Sequence, residues 1–493
     1  MAATDFDVLI NGREQAGLSG ERFTRQSPFD QSVVSTYPNC GLEETRLAIV
    51  SARDTFDSTR WPVSRGADRA KILTKASELM LARVDEFARW IALEAGKPIR
   101  MAKSEVVHSA HVLAFYGGAA NDLRGESITQ QVPDAIGLVI HEPVGVVGII
   151  TPWNFPLSLV VRKVAAALAA GCTIVAKPSH FTPAVTIMLA KLLSEAGLPD
   201  GVFNVVTSET DNGALVGQEL ASSNKVDMVA FTGSTEAGKA VARAAAGNVK
   251  KVALELGGKS PNIVFADCEM DEAIKGAYNG IYMNSGQVCQ AGTRLMVQRD
   301  VKDEFVARLI EMSRAVRMGD PLSPETSMGP VVNEKQFARV NDYIARGQSE
   351  ASLVFGGGKP QDPALAKGFF VNPTIFDEVG NSATIAQEEI FGPVLSVMAF
   401  DTPEESIAIA NDTMYGLAAA VWTNNINTAF QVAKGIRAGT VWVNAYHSTS
   451  LNNMPYGGYK QSGLGRELSS DGLHEYMETK SVQIQLRGAA GAR

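Results

Sequence analysis

The chain has 493 residues, 45% of them hydrophobic and 20% charged, an ordinary globular balance with ample material for a core. A single core stops growing before roughly 300 residues, so more than one domain is expected. Its 45 basic and 53 acidic side chains leave a net charge of −8, which argues against a nucleic-acid partner, since that would want a basic stripe.

The opening stretch, Met1 to Asp7, has no basic region leading into an apolar run, so no signal peptide is expected. Cys40, Cys172, Cys268 and Cys289 are too few and too scattered for a disulfide framework. No Cys-x-x-Cys or His-Glu-x-x-His occurs, and the histidines lack metal-ligand spacing, so no metal is expected. A reducing, cytoplasmic setting fits this cysteine usage.

Residues 66–95 read as one amphipathic helix, with Ile72, Leu73, Ala76, Leu79, Met80 and Val84 at helical spacing and Gly96-Lys97-Pro98 as its stop. Segment 125–142 alternates apolar and polar residues, as does Thr479–Leu486; both read as edge strands that pair outside their own domain. Pro143–Val161 is uncharged over a length that raises the membrane question. Pro152, Asn154 and Pro156 at its centre would break a spanning helix, so a buried strand and then a loop is the reading, with no membrane segment.

Short β-branched runs follow at Val144–Ile150, Thr173–Ala176 and Val226–Phe231. They alternate with alanine-rich helical stretches at Arg162–Ala170, Ala184–Glu195 and Ala237–Ala246. Such alternation predicts an α/β fold, a parallel sheet with helices on both faces. The second half has strands at Pro261–Phe265, Thr293–Gln298, Val394–Ala399 and Thr440–Val443, and helices near Asp303–Val316 and Glu404–Asn411. A seam is expected near residue 256.

Five positions invite a chemical reading. Lys177 puts a cation at the carboxyl end of a strand, the edge where α/β sheets bind ligands, or it is a solvated surface charge. Thr232 to Lys239 forms strand, glycine turn and helix start, and Gly233 and Ser234 could present N–H groups to a pyrophosphate. The glycines are spaced G-x4-G, neither the dinucleotide fingerprint nor the P-loop, so an ordinary turn stays open. Cys289 has polar, glycine-bearing flanks; it is a nucleophile needing activation or a buried structural thiol. Asn154, held between Pro152 and Pro156, suits a rigid oxyanion donor or a turn. Glu255 lies in an apolar run before Gly257-Gly258, where burial would raise its pKa and suit a general base; a salt-bridge partner is the other reading.

Together these segments resemble the aldehyde dehydrogenase superfamily over essentially the whole chain. The matching text is Thr151 to Pro156, Leu168 to Cys172, Lys177-Pro178, Phe231 to Gly238, Leu254 to Ser260, Gly286 to Cys289, Glu388 to Pro393, Gly439 to Asn444 and Pro455 to Lys460. The resemblance implies a Rossmann-type dinucleotide-binding domain (1–124 and 143–256), an α/β catalytic domain (257–461) and a small β oligomerisation arm (125–142 and 476–488). It implies a homodimer or homotetramer and NAD or NADP as cofactor. In the implied chemistry Cys289 attacks an aldehyde, the oxyanion rests on Asn154 and the Cys289 N–H, and water activated by Glu255 hydrolyses the thioester. Lys177 would hold the adenine ribose, Trp153 and Ser234 the pyrophosphate, and Glu389 with Phe391 the nicotinamide ribose; Asn444 resembles a support residue. Members that pass the acyl group to coenzyme A typically lack a carboxylate at the Glu255 position, so its presence implies a free acid.

The chain departs from the family at His180, where members preferring NAD usually carry Glu, and in the turn Val205–Thr210, which lacks the usual glycines. Weakened discrimination against NADP is therefore expected, with His180 neutral or positive. Arg162 falls where several relatives face the substrate tunnel, and betaine- and acetaldehyde-type members tend to have an aromatic there. It could pair the far carboxylate of a semialdehyde. Met283 stands where succinic semialdehyde dehydrogenases place a second arginine, which counts against that substrate. Phe155, Tyr456 and the polar loop His447–Met454 are expected at the tunnel mouth.

Overall fold

A computed structural model describes residues 3–131, 134–447 and 452–486. Two sheets carry the chain. In the first, five parallel strands lie in the order Lys251–Glu255, Met228–Thr232, Val146–Ile150, Thr173–Lys177 and Phe203–Val205. Antiparallel Gly463–Leu464 borders one edge, and Val8–Ile10 then Arg13–Gln15 the other. The second sheet runs Ser352–Phe355, Thr374–Asp377, Val394–Phe400, Arg294–Gln298, Pro261–Val264, Ala418–Trp422 and Thr440–Val443, and only its first strand is antiparallel. The chain leaves the first sheet at Glu255 and enters the second at Pro261.

The central strands are buried on both faces, which is why Val146–Ile150 and Met228–Thr232 read as unbroken apolar runs. In the first sheet the chain moves outward from Val146–Ile150 through Thr173–Lys177 to Phe203–Val205, then returns to the other side of Val146–Ile150. That reversal opens a crevice at the carboxyl ends of Val146–Ile150 and Met228–Thr232, the place where such sheets receive ligands. The segments leaving those two ends hold Trp153 and Asn154 on one side, Gly233 and Ser234 on the other.

Several elements differ from the reading of the sequence. Residues 66–95 form two helices, Gly66–Ala82 and Val84–Ala95, divided at Arg83, whose N–H donates to Met80 O and whose φ of −121° leaves the helical range. The helix expected from Arg162 starts at Pro156, because proline fits the first helical turn, where its missing N–H goes unneeded. The two alternating segments pair with each other. Ala135–Pro143 and Met477–Gln485 form an antiparallel ribbon, with Glu126–Ile128 along its free side. No helix among the described residues is long and apolar enough to cross a membrane.

Candidate active site

Cys289 sits on a loop of unusual backbone. Asn284 (φ 50°), Ser285 (φ 58°) and Gly286 (φ 72°) are three successive left-handed residues. Each non-glycine there costs on the order of 1–3 kcal/mol, so the surroundings must hold them. Ser285 Oγ donates to Gly329 O (2.7 Å), Gln287 Nε2 to Asn284 O (3.0 Å), and Asn284 Nδ2 to Asn154 O (3.0 Å). At Gly286 a side chain is excluded outright, since a Cβ would lie 2.1 Å from Gly392 O.

The strained loop seats Asn154. Its Nδ2 donates to Gln287 O at 3.0 Å, which leaves its second N–H for another acceptor. Asn154 is 3% exposed, and the bond to Gln287 fixes its amide plane; it is no mere turn residue. The helix that begins beside it, Pro156–Ala170, is capped from outside: Glu105 Oε1 accepts from Leu157 N (3.0 Å) and Ser158 N (3.1 Å). The other Glu105 oxygen pairs with Lys97, whose Nζ lies 3.7 Å from the centre of the Phe155 ring. Both partners are buried, so Asn154 and Phe155 rest on an enclosed ion pair.

Cys289 is half-buried, and its Sγ lies 3.3 Å from Tyr456 Oη. Burial pushes the thiol up to about 11, the Tyr456 hydroxyl and Arg162 act to lower it, and Glu389 and Glu255 to raise it. Glu255 ends its strand 4% exposed, with no ion pair and no hydrogen bond to either carboxylate oxygen among the described residues. Burial first, and then the neighbouring Glu467, raise its pKa well above the usual range, against Lys163, Arg162 and Arg466. Glu467 is itself paired with Lys163 inside the protein. The salt-bridge reading of Glu255 is therefore set aside.

The next residues tie this carboxylate to the cofactor side. Gly258 passes so close to Cys289 that a Cβ would sit 2.3 Å from Cys289 O, and its N–H donates to Glu389 Oε1 (3.1 Å). Burial lifts Glu389 to about 7, against the opposing Gly258 N–H, Lys259 and Arg339. Two residues on, Phe391 is held at φ 62° by Gln336, whose Nε2 donates to Phe391 O (2.8 Å) and Ile390 O (3.1 Å). Its ring meets Trp153 edge-on at 5.4 Å. Trp153 and Phe181 form one wall of a cavity of about 530 Å³; Asn333, Gln336, Arg339 and Tyr343 of the Glu334–Glu350 helix region form the other.

Around the far end of the crevice, Lys177 is only 9% exposed, so it is no surface charge; its single acceptor, Pro178 O, lies at a weak 3.4 Å. Burial lowers it to about 8. Ser208, distant in the chain, comes close to Lys177 in space where both border Gly213, and its Oγ is buried without a partner among the described residues. The His180 ring lies tilted against Phe181 (centroids 3.9 Å apart), and burial, with Lys177 and Arg25, depresses it to about 4, so its ring is neutral at physiological pH. Gly233 is half-buried, its N–H donating to Glu255 O (3.0 Å). Ser234 is exposed and caps the helix Thr235–Ala245 by accepting from Ala237 N (3.3 Å). Asn444 braces the strand end at Thr423 through both amide atoms.

Arg162 is half-buried, with its guanidinium carbon 4.9 Å above the Tyr456 ring; its Nε has no hydrogen bond, and no carboxylate pairs with it among the described residues. Tyr456, Arg162, Cys289 and Glu255 thus share one electrostatic neighbourhood. Of the expected mouth loop, 448–451 lie outside the described residues. Sequence reasoning missed Gln287, Gln336, Arg339, Lys97, Glu105, Lys163 and Glu467. Gln287 stood inside a quoted motif; the others are polar residues on helices or loops with no local signature.

A switch-point crevice beside a half-buried thiol, an amide donor and a buried carboxylate without an ion pair among the described residues suits a dinucleotide-linked dehydrogenase. The chain belongs to the aldehyde dehydrogenase family, whose model matches residues 16–482. It is 45% identical over 465 residues to a betaine aldehyde dehydrogenase of Bacillus subtilis (94% of each chain). It is 42% identical to an aldehyde dehydrogenase of Davidiella tassiana, over 98% of this chain and 96% of the relative. Among solved structures it is similar to an NAD-dependent aldehyde dehydrogenase from Sinorhizobium meliloti, with TM-score 0.96, 43% identity and coverage of 99% and 96%. Betaine aldehyde dehydrogenase from Staphylococcus aureus in complex with NAD+ matches with TM-score 0.95, 36% identity and coverage of 99% and 97%.

Proposed function

We propose that this enzyme oxidises an aldehyde to the free carboxylic acid, with Cys289 as nucleophile, Asn154 as oxyanion donor and Glu255 as the base that delivers water. The carrying observation is Glu255: a buried carboxylate with both oxygens uncommitted, electrostatically coupled to the thiol. A carboxyl group whose pKa is raised by burial suits proton abstraction from water. Attack by Cys289 moves negative charge onto the carbonyl oxygen, where the free N–H of Asn154 can meet it. Losing such a donor costs roughly 3–4 kcal/mol of barrier.

The uncommitted Lys177 Nζ and Ser208 Oγ, the Glu389 carboxylate and the cavity between Trp153 and Gln336 fit a nicotinamide dinucleotide, which when bound supplies the hydride acceptor. Lys177 would take a ribose hydroxyl, Ser234 and the start of the helix Thr235–Ala245 the pyrophosphate (the Gly233 N–H is already given to Glu255 O), and Glu389 with Phe391 the second ribose. His180 is neutral and no acidic side chain stands in its place to repel a 2′-phosphate, which supports use of NADP as well as NAD.

For the substrate, the face of Tyr456 is already covered by the Arg162 guanidinium. A trimethylammonium group would meet a cation there, whereas a carboxylate would meet its partner. An aldehyde carrying a distal carboxylate is the favoured class. The outer edges of the arm ribbon and of Thr440–Val443, with Ile484 and Val443 exposed, support assembly of like subunits by strand pairing. A cytoplasmic location accords with the cysteine usage.

The test is NADH and NADPH formation over short aliphatic, aromatic, amino and carboxylated aldehydes. Turnover without coenzyme A, with acid as product, is expected; strict dependence on coenzyme A would overturn the hydrolytic role of Glu255. NAD preference over NADP that is strong and unchanged in His180→Glu would overturn the cofactor reading.

A further inference from the structure

Arg25 lies far from Cys289 in sequence and touches neither the thiol nor its neighbours, yet its contacts connect the parts of the site. It faces inward from the strand Arg22–Gln26, 7% exposed, although arginine is rarely buried without a carboxylate partner. Its guanidinium donates instead to two carbonyls. Nε and Nη2 reach Glu94 O (3.2 and 2.5 Å), and Nη2 also reaches Val332 O (2.9 Å). Its flat face lies 5.2 Å from the centre of Phe181.

The Glu94 contact has a local explanation. Glu94 is in the last turn of the helix Val84–Ala95, where carbonyls lack intrahelical donors and the dipole favours a cation. Capping alone would not require the bond to Val332, 307 residues away. Val332 is held at both of its main-chain groups, for its N–H donates to Gln287 Oε1 (2.9 Å). Gln287 O is the acceptor that orients the Asn154 amide. One residue past Val332, Asn333 caps the helix Glu334–Glu350 by accepting from Gln336 N (2.7 Å), and Gln336 holds Phe391. Phe181, beneath the guanidinium, forms the opposite wall of the same cavity.

We propose that Arg25 is a positioning residue that ties the two walls of the cofactor cavity together and, through Val332 and Gln287, fixes the Asn154 amide at the nucleophile. The inference rests on the cofactor reading above. Removing the guanidinium frees the Val332 carbonyl and loosens the residue whose N–H holds Gln287, so one change disturbs both cofactor binding and the oxyanion donor. A change in packing alone would lower stability and leave both intact.

The experiment compares wild type with Arg25→Met, which keeps a long side chain but no donors, and Arg25→Lys, which keeps the charge and one donating centre. NADH affinity is read by fluorescence titration, and kcat and KM at saturating NAD+ with an aldehyde the wild type oxidises. Arg25→Met is expected to weaken NADH at least tenfold and to lower kcat at least tenfold, with Arg25→Lys recovering part of both. Unchanged NADH affinity and kcat in Arg25→Met, with only a lower Tm, would overturn the proposal. Should Arg25→Met fail to fold, Arg25→Lys carries the test: wild-type NADH affinity and kcat in it, with a lower Tm, overturn the proposal as well. Absence of NADH binding by the wild type would overturn the cofactor reading itself, so the two failures are separable.

Discussion

Replacing Tyr456 by phenylalanine removes one oxygen from the site, the hydroxyl 3.3 Å from Cys289 Sγ, and leaves the ring under Arg162. Burial, helped by Glu389 and Glu255, pushes this thiol upward, and the hydroxyl is the largest influence drawing it back. A hydrogen bond to a charged group contributes about 1.5–3 kcal/mol. At about 1.4 kcal/mol per pKa unit, its loss should raise the thiol by about one to two units. Well below its midpoint the thiolate fraction then falls about 10- to 100-fold. Each remaining thiolate is a better nucleophile, with a Brønsted slope of about 0.4–0.5, which returns about 3- to 10-fold. The net expectation in Tyr456→Phe is alkylation of Cys289 by iodoacetamide slowed about 3- to 10-fold at pH 8.5. The assay is mass-spectrometric counting of the modified Cys289 peptide, which separates it from Cys268, the other half-buried thiol. An unchanged or faster rate would refute the reasoning, since it would mean that the hydroxyl does not favour the thiolate.

Glu255→Gln should leave acyl transfer to Cys289 intact and slow hydrolysis, giving a burst of NADH near one per active site and a steady rate down about 10²- to 10⁴-fold; a proportional loss of the burst would contradict this. Glu105→Ala strands Lys97 inside the protein and removes the cap of Pro156–Ala170, so it should cost about 3–5 kcal/mol in denaturant unfolding. Arg162→Ala should raise KM for carboxylated aldehydes and leave KM for uncharged ones little changed; equal effects on both would end the anionic-substrate reading. Glu94 gives a pH-dependence. Burial raises it to about 7, above its unfolded value, so the folded chain keeps a proton that the unfolded chain releases between those values. Its contribution is full at pH 4 and is lost as pH rises toward 7, and Glu94→Gln should flatten the decline in Tm between pH 5 and 8.

The parallel sheets were legible because buried strands leave a plain signature: Val146–Ile150 and Ile174–Ala176 are apolar throughout, with an alanine-rich helix between them. The break at Arg83 was not, because the apolar spacing continues across it and only the backbone turns. The ribbon partners Ala135–Pro143 and Met477–Gln485 showed their alternation, but their mutual pairing spans more than 300 positions and has no local trace. At the site, Cys289, Asn154 and Glu255 stood out since each is a reactive or polar group in an unexpected setting. The helix Glu334–Glu350 was missed. Its sequence is mostly polar, and the value of Gln336 and Arg339 comes from donating hydrogen bonds to the Phe391 and Glu389 carbonyls, which are distant in the chain. Arg25 is more hidden still, because its acceptors are main-chain carbonyls, which any sequence supplies.

The central claim is that carbon–sulfur bond formation at Cys289 precedes release of the acid. It is tested most directly by mixing Glu255→Gln with aldehyde and NAD+, quenching in acid and mapping the peptides by mass spectrometry. An acyl group on the Cys289 peptide, formed in step with the NADH burst, is the predicted result. NADH release with no acyl group on that cysteine, together with undiminished turnover by Cys289→Ala, would contradict it.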